Sequence, residues 1–224
     1  ELLFMQEQEL ASRYRLVKVP WRTTGDFALD DLVGDVAGAL DRAGVDRATL
    51  VAESFGGTAG LRFAIEHPER VERLVLVNTF AWFPNRSLVA WGRYFASVAH
   101  PAVVQAVRVL VDTPVLMLEG VPAAARRRFL RVAYEQPLSA YRRRLEIVES
   151  FDVRDRLGEV RAPTLVLVAE NDRVVWPEAG RLLAERIPNA TLRLLPRLGH
   201  ATLLTPGVSL LSLVEETFAA RRAS

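Results

Sequence analysis

The chain has no cysteine, which excludes disulfides, thiolate nucleophiles and cysteine-ligated metal, and is neutral on compartment. Lysine is almost missing as well: Lys18 is the only one, and the remaining basic side chains are arginines. Net charge is small, +2 over 224 residues, so charge gives no reason to expect nucleic acid. Arginine clusters at residues 126–128 and 142–144 read as solvated helix faces. No apolar run reaches the ~20 residues needed to span a bilayer. No signal-peptide pattern opens the chain, so the expected location is cytoplasmic. Histidine is scarce, with three in all, which shortens any search for a catalytic base.

What is present is a chain that is 50% hydrophobic, enough for one sizeable domain or a core with an inserted subdomain. "YRLVKVPW" (residues 14–21) reads as a strand running into a loop with Thr23, Thr24 and Gly25. Leu29, Leu32, Val33, Val36, Ala37 and Leu40 then recur at helical spacing, with Gly44 as a stop signal. "ATLVA" (48–52) and "VERLVLVN" (71–78) are short continuous apolar runs, the mark of strands buried on both faces. Helix is expected between them from about Gly57 to Glu66, ended by His67-Pro68. Such alternation implies a parallel sheet covered by helices.

From residue 80 to 159 the pattern changes to Ala, Arg and aromatics, broken at Pro84, Pro101, Pro114, Pro122 and Pro137. This reads as an inserted helical lid, leaving residues 1–79 and 160–224 as the core. The alternation returns with the strand "APTLVLVAEND", the helix "WPEAGRLLAERIP", the strand "ATLRLLP" and a terminal amphipathic helix, "GVSLLSLVEETFAARRA".

Chemistry is concentrated in "TLVAESFGGTAGLRF" (49–63). A serine at the C-terminal edge of a parallel strand, turning at once into a helix, is held at the rim where open α/β sheets bind ligands. Tight turning explains Ala52 and Gly56 on either side of Ser54, and Gly57 with Ala59 lets the helix approach the sheet. The Phe55 N–H, at the positive end of the helix, is the natural donor to an oxyanion formed on Ser54. In the competing reading, Gly-Gly makes a plain βα turn and Ser54 caps the helix.

A serine nucleophile needs a base, and the base an orienting acid. His67 lies at the far end of the following helix, about 15 Å away by helical rise. His100 falls between lid helices, as a structural or pocket-lining residue. His200, in "RLGHATLL", follows the last strand and emerges at the same rim, on a loop that Gly199 frees to turn. Asp172 follows "TLVLVAEN", with Glu170 as the competing acid. Trp82, Phe83, Trp91, Tyr94 and Phe95 either line an apolar acyl pocket or form the lid's own core. Glu53, beside the serine, is read as a backbone-bonding side chain with no catalytic task.

Four stretches carry a family resemblance: "VAESFGGTAG", "HPERVERLVLVN", "APTLVLVAENDRVV" and "LPRLGHATLLTPG". Together they make the chain similar to the α/β-hydrolase superfamily from about Tyr14 onward, with Ala52 where the usual G-x-S-x-G has its first glycine. The resemblance implies a mostly parallel sheet flanked by helices, with a lid. It also implies a serine triad of Ser54, Asp172 and His200, with Phe55 as one oxyanion donor. The expected activity is cleavage of a carboxylic ester, or related acyl bond, of a small apolar substrate. Such members, here of bacterial esterase or lipase type, ordinarily use no cofactor and no metal. An acyltransferase on the same triad and a non-catalytic binding protein of this fold are the alternatives. Family members begin with further strands and a loop bearing a second oxyanion donor. Since this chain opens at Glu1, it is expected to be the N-terminally incomplete part of a longer enzyme.

Overall fold

The computed structural model describes residues 2–24, 26–116 and 120–220. Gly25 and the last residues of the predicted terminal helix, 221–224, lie outside them. A short helix, α1 (Glu7–Ala11), precedes an irregular stretch and then α2 (Leu29–Arg42). The sheet is built from β1 (Ala48–Glu53), β2 (Val71–Val77), β3 (Thr164–Ala169) and β4 (Ala190–Leu195), parallel and in that spatial order. Helix α3 (Gly56–Glu66) links β1 to β2. Between β2 and β3 run α4 (Arg86–Val98), α5 (Pro101–Leu116), α6 (Ala123–Tyr134) and α7 (Leu138–Ser150). Helix α8 (Pro177–Arg186) links β3 to β4, and α9 (Leu210–Ala220) ends the fold.

The uninterrupted apolar runs of β2 and β3 are explained by burial on both sides. Leu74, Leu76, Val166 and Val168 face one core with Leu61, Phe63 and Leu183. Val75, Val77, Leu165 and Leu167 face the other, against Leu10 of α1 and Leu210, Val214 and Phe218 of α9. Each such side chain contributes roughly 1.5–3 kcal/mol by leaving water.

Three expectations need correcting. Residues 14–21 form no strand: they join no ladder, and Tyr14, Leu16 and Val19 stay exposed, because no neighbouring strand offers them hydrogen bonds. β1, expected to be buried on both faces, is an edge strand and is mostly half-buried. Pro114 does not break the insertion, since α5 continues past it to Leu116, within one turn. Three of the others act at helix starts: Pro101 opens α5, while Pro122 and Pro137 are the N-caps of α6 and α7; Pro84 lies one residue before Asn85, the N-cap of α4.

The two ends of the insertion, the helical segment between β2 and β3, are tied to each other. Trp82 and Asp152 form an antiparallel bridge, and the Val153 N–H donates to the Ala81 carbonyl at 3.0 Å. Among the described residues, no helix is long and apolar enough to cross a membrane, as the absence of long apolar runs predicts.

Candidate active site

Ser54 leaves β1 in the left-handed region, φ 52°, a conformation that costs a non-glycine residue about 1–2 kcal/mol. The turn is held from both sides by the end of β2. The Ser54 N–H donates to the Val77 carbonyl at 2.9 Å, and the Thr79 hydroxyl donates to the Ser54 carbonyl at 2.7 Å. Two glycines make the close approach possible: Gly57, as expected, and Gly60, in the place given to Ala59. A Cβ on Gly57 would stand 1.9 Å from Thr79 Oγ1, and one on Gly60 would stand 2.6 Å from the Ala52 methyl. Gly56 has ordinary room, 3.5 Å to the Trp21 ring, and Ala59 packs with Phe27 and Leu32 rather than on the sheet. The alanine at position 52 is thus accommodated because residue 60 has no side chain.

Ser54, Asp172 and His200 meet at this rim. The Ser54 hydroxyl donates to His200 Nε2 at 2.8 Å, and His200 Nδ1–H donates to Asp172 Oδ2 at 2.7 Å, the tautomer in which each atom has a partner. The other Asp172 oxygen, Oδ1, accepts the N–H groups of Val174 and Val175 at 2.8 and 2.9 Å. Asp172 is 4% exposed and His200 2%. An imidazole so held can take the hydroxyl proton while the buried carboxylate balances the resulting charge. Glu170, the competing acid, is exposed, with its N–H bonded to the Leu195 carbonyl. In the histidine loop the left-handed residue is Arg197, φ 62°, rather than the expected Gly199.

Sequence reasoning missed Asn78. It is buried, left-handed at φ 45°, and sits one residue past β2. Its Nδ2 donates to the His200 carbonyl at 2.9 Å and to Thr202 Oγ1 at 3.1 Å, while its Oδ1 accepts the Ala169 N–H at 2.9 Å. One side chain thereby ties the ends of β2 and β3 to the histidine loop. The available signal was an asparagine directly after a strand, where left-handed backbone is tolerated.

Phe55 is the N-cap of α3, and among the described residues no acceptor takes its N–H. Its ring lies 5.2 Å from that of Trp21, which places an aromatic pair beside the serine that the sequence reading had overlooked. Of the insertion aromatics, Phe83 borders a small cavity with Val174 and Val175, whose N–H groups bond Asp172. The Arg86 and Arg154 guanidinium groups lie 5.8 and 4.4 Å from the Trp82 ring centroid, Phe83 packs on Phe80, and Trp91 is exposed against Tyr94. His67 caps the exposed end of α3 on Phe63. His100 is exposed, with Nδ1 accepting the Ala102 N–H. A groove of about 350 Å³ between the start of α2 and α7 is lined by Phe27, Arg62, Arg143 and Ile147, and none of the three meeting residues lines it. Among the described residues no cluster of three His, Asp or Glu is arranged to hold a metal ion.

The expected backbone bond of Glu53 is not found: among the described residues its buried Oε1 has no hydrogen-bond partner. Burial, with a smaller contribution from the Asp172 charge, pushes its carboxyl up to about 8, so it is mostly neutral at pH 7.

The sequence profile of the α/β hydrolase fold matches residues 18–206. The chain belongs to that family, and it is an enzyme of the hydrolase class. It is 29% identical over 214 residues, 91% of the chain, to a protein named as carbamate hydrolase RutD from Azorhizobium caulinodans, and covers 81% of that protein. It is 31% identical over 182 residues, 74% of the chain, to 2-hydroxy-6-oxo-6-phenylhexa-2,4-dienoate hydrolase from Burkholderia cepacia, and covers 60% of it. A solved hydrolase from Pseudomonas aeruginosa PA01 superposes with a TM-score of 0.73 at 26% identity, over 89% of this chain and 74% of that one.

Proposed function

We propose that the protein hydrolyses an ester, or a related acyl bond, of a small apolar substrate in two steps through an acyl-enzyme on Ser54. The observation that carries this reading is the continuous relay from the Ser54 hydroxyl through both His200 nitrogens to Asp172. Ser54 attacks the carbonyl carbon as His200 accepts its proton, and Asp172 stabilises the imidazolium. The oxyanion forms against the Phe55 N–H, at the positive end of α3. His200 then protonates the leaving group as its bond to the acyl carbon breaks; water attacks the acyl carbon with His200 again as base, and the bond to Ser54 Oγ breaks as His200 returns that proton to the serine and the acid leaves. Residues 80–159 serve as the lid over this rim. The names of the two curated relatives place them on carbonyl compounds, a carbamate and an oxo-dienoate, which is consistent with attack at a carbonyl carbon here.

A fluorophosphonate probe and a p-nitrophenyl ester series test the proposal. The expected result is stoichiometric labelling at Ser54, turnover that falls with acyl length, and loss of both in Ser54→Ala. Unlabelled protein with no turnover sinks catalysis and favours a binding protein. Product appearing mainly on an added alcohol, rather than as free acid, identifies an acyltransferase.

A further inference from the structure

Helices α4 and α5 carry an exposed apolar face. On α4, Leu88, Trp91, Tyr94 and Val98 share one helical face, and all are exposed, Leu88 at 70% and Trp91 at 69%. Helix α5 starts after only Ala99 and His100, packs against α4, and adds exposed Val103 and Leu110, the latter at 74%. The charged side chains of α4 and of residues 101–110 are drawn away from this surface. Arg86 donates to the Phe151 carbonyl at 3.1 Å, Arg93 pairs with Glu149 at 2.9 Å, and Arg108 is buried under the rings of Tyr134 and Tyr141. The exposed faces of the two stretches therefore carry no acidic or basic residue.

We infer that this face is a self-association surface, on which the α4–α5 pair of one chain packs against the same pair of a second copy about a two-fold axis. Area supports that occupant. The six apolar side chains present on the order of 700 Å², close to the ~800 Å² that each partner contributes to a standard interface. Charge supports it as well. An isologous contact sets a patch against itself, so a face with no formal charge meets its copy without like-charge repulsion. A lipid surface is a poorer fit, because interfacial helices flank their apolar face with free basic side chains, and here Arg86 and Arg93 are engaged inward. Two helices from each copy form a four-helix packing that removes the largest exposed side chains from water.

Sedimentation of the full-length natural protein over a wide concentration range tests the inference. The expected result is a concentration-dependent shift from one to two chain masses, with Trp91 emission moving to the blue as the dimer forms. The double variant Leu88→Glu/Leu110→Glu places charge on both helices at positions with little folded-state packing. It is expected to stay at one chain mass at every concentration, with the Tm of wild type measured at concentrations where wild type is monomeric. A wild-type protein that remains monomeric up to its solubility limit overturns the inference, whether or not it floats with phosphatidylcholine vesicles. A dimer that survives the double variant also overturns it, by placing the interface elsewhere.

Discussion

The sheet rim and the outer face of the insertion treat polar groups in opposite ways. At the rim, polar side chains are buried and tied together: Asp172, His200, Asn78 and Thr202 are all nearly inaccessible and each is hydrogen-bonded. On α4 and α5 the large apolar side chains are outside, and the arginines are folded back into ion pairs and aromatic stacks. Burial of a polar group costs roughly 1–3 kcal/mol unless a partner is present, so the rim keeps its arrangement only while its network is complete. The insertion face has no such constraint, and its ordering depends on what covers it. Substitutions at the rim should thus reach chemistry, and substitutions on the face should reach assembly.

The largest effect is expected from Asp172→Asn. The variant keeps the size of the side chain and its acceptor toward Val174 and Val175, but favours the wrong imidazole tautomer. A loss of about 10⁴ in kcat with nearly unchanged KM and Tm is expected, measured on an ester substrate. Activity within tenfold of wild type would show that the relay is structural and collapse the contrast between rim and face.

Much of the rim was legible because each of its groups stands a short, fixed distance beyond a buried apolar run. Ser54 follows β1 directly, and Asp172 lies three residues past β3. A parallel sheet brings such positions to one edge whatever the helices do, so spacing alone sufficed. Asn78 was not legible, since its role depends on three acceptors and donors separated from it by more than ninety residues. Gly60 was missed for a similar reason: the clash it avoids is with Ala52, and only the depth of the helix on the strand reveals it. The insertion was readable as helical, but not as to which side its aromatics face. Trp82, Phe83 and Trp91 obey helix and turn patterns that are the same for a pocket wall, a packed base and an open surface. Residues 14–21 looked like a strand because propensity does not encode whether a neighbouring strand is present.

Next in size is Asn78→Ala. It leaves the His200 carbonyl and the Ala169 N–H without their side-chain partner and puts alanine at φ 45°, for a combined cost of about 3 kcal/mol. Thermal unfolding should shift down by several degrees, and kcat should fall by about tenfold with little change in KM, as the imidazole loses its fixed position. Asn78→Gly relieves the backbone strain but not the lost hydrogen bonds. It should therefore recover part of the stability and none of the kcat. Recovery of both would assign Asn78 to backbone geometry alone.

A smaller change is expected at the elbow. Gly60→Ala forces two methyls to 2.6 Å and should destabilise by about 1–3 kcal/mol. Ala52→Gly in the same chain removes the opposing methyl and should return most of that loss, giving a coupling energy of about 1 kcal/mol or more by a double-mutant cycle. Additive effects would mean that the helix shifts freely on the sheet, and the rim would then be no more constrained than the insertion.

A buried carboxyl gives the last test: Glu53 Oε1 has no hydrogen-bond partner among the described residues. The Glu53 carboxyl is pushed from 4.5 to about 8 in the folded chain, chiefly by burial, so the folded state holds a proton that the unfolded state releases. Between those two values the native state binds more protons, and stability must fall as pH rises from 4.5 toward 8, then level off. Glu53→Gln imitates the protonated form. Its stability should match wild type at the acid end of this window and exceed it increasingly up to about pH 8, by chemical denaturation at a series of pH values. Because the shifted charge lies near Asp172, the ester-hydrolysis profile should also differ: wild type should change on its alkaline side near pH 8 as Glu53 ionises, and the glutamine variant should not. Parallel stability curves for the two proteins would mean that the carboxyl finds water or a cation when charged. The rim would then tolerate one charged group without a protein partner.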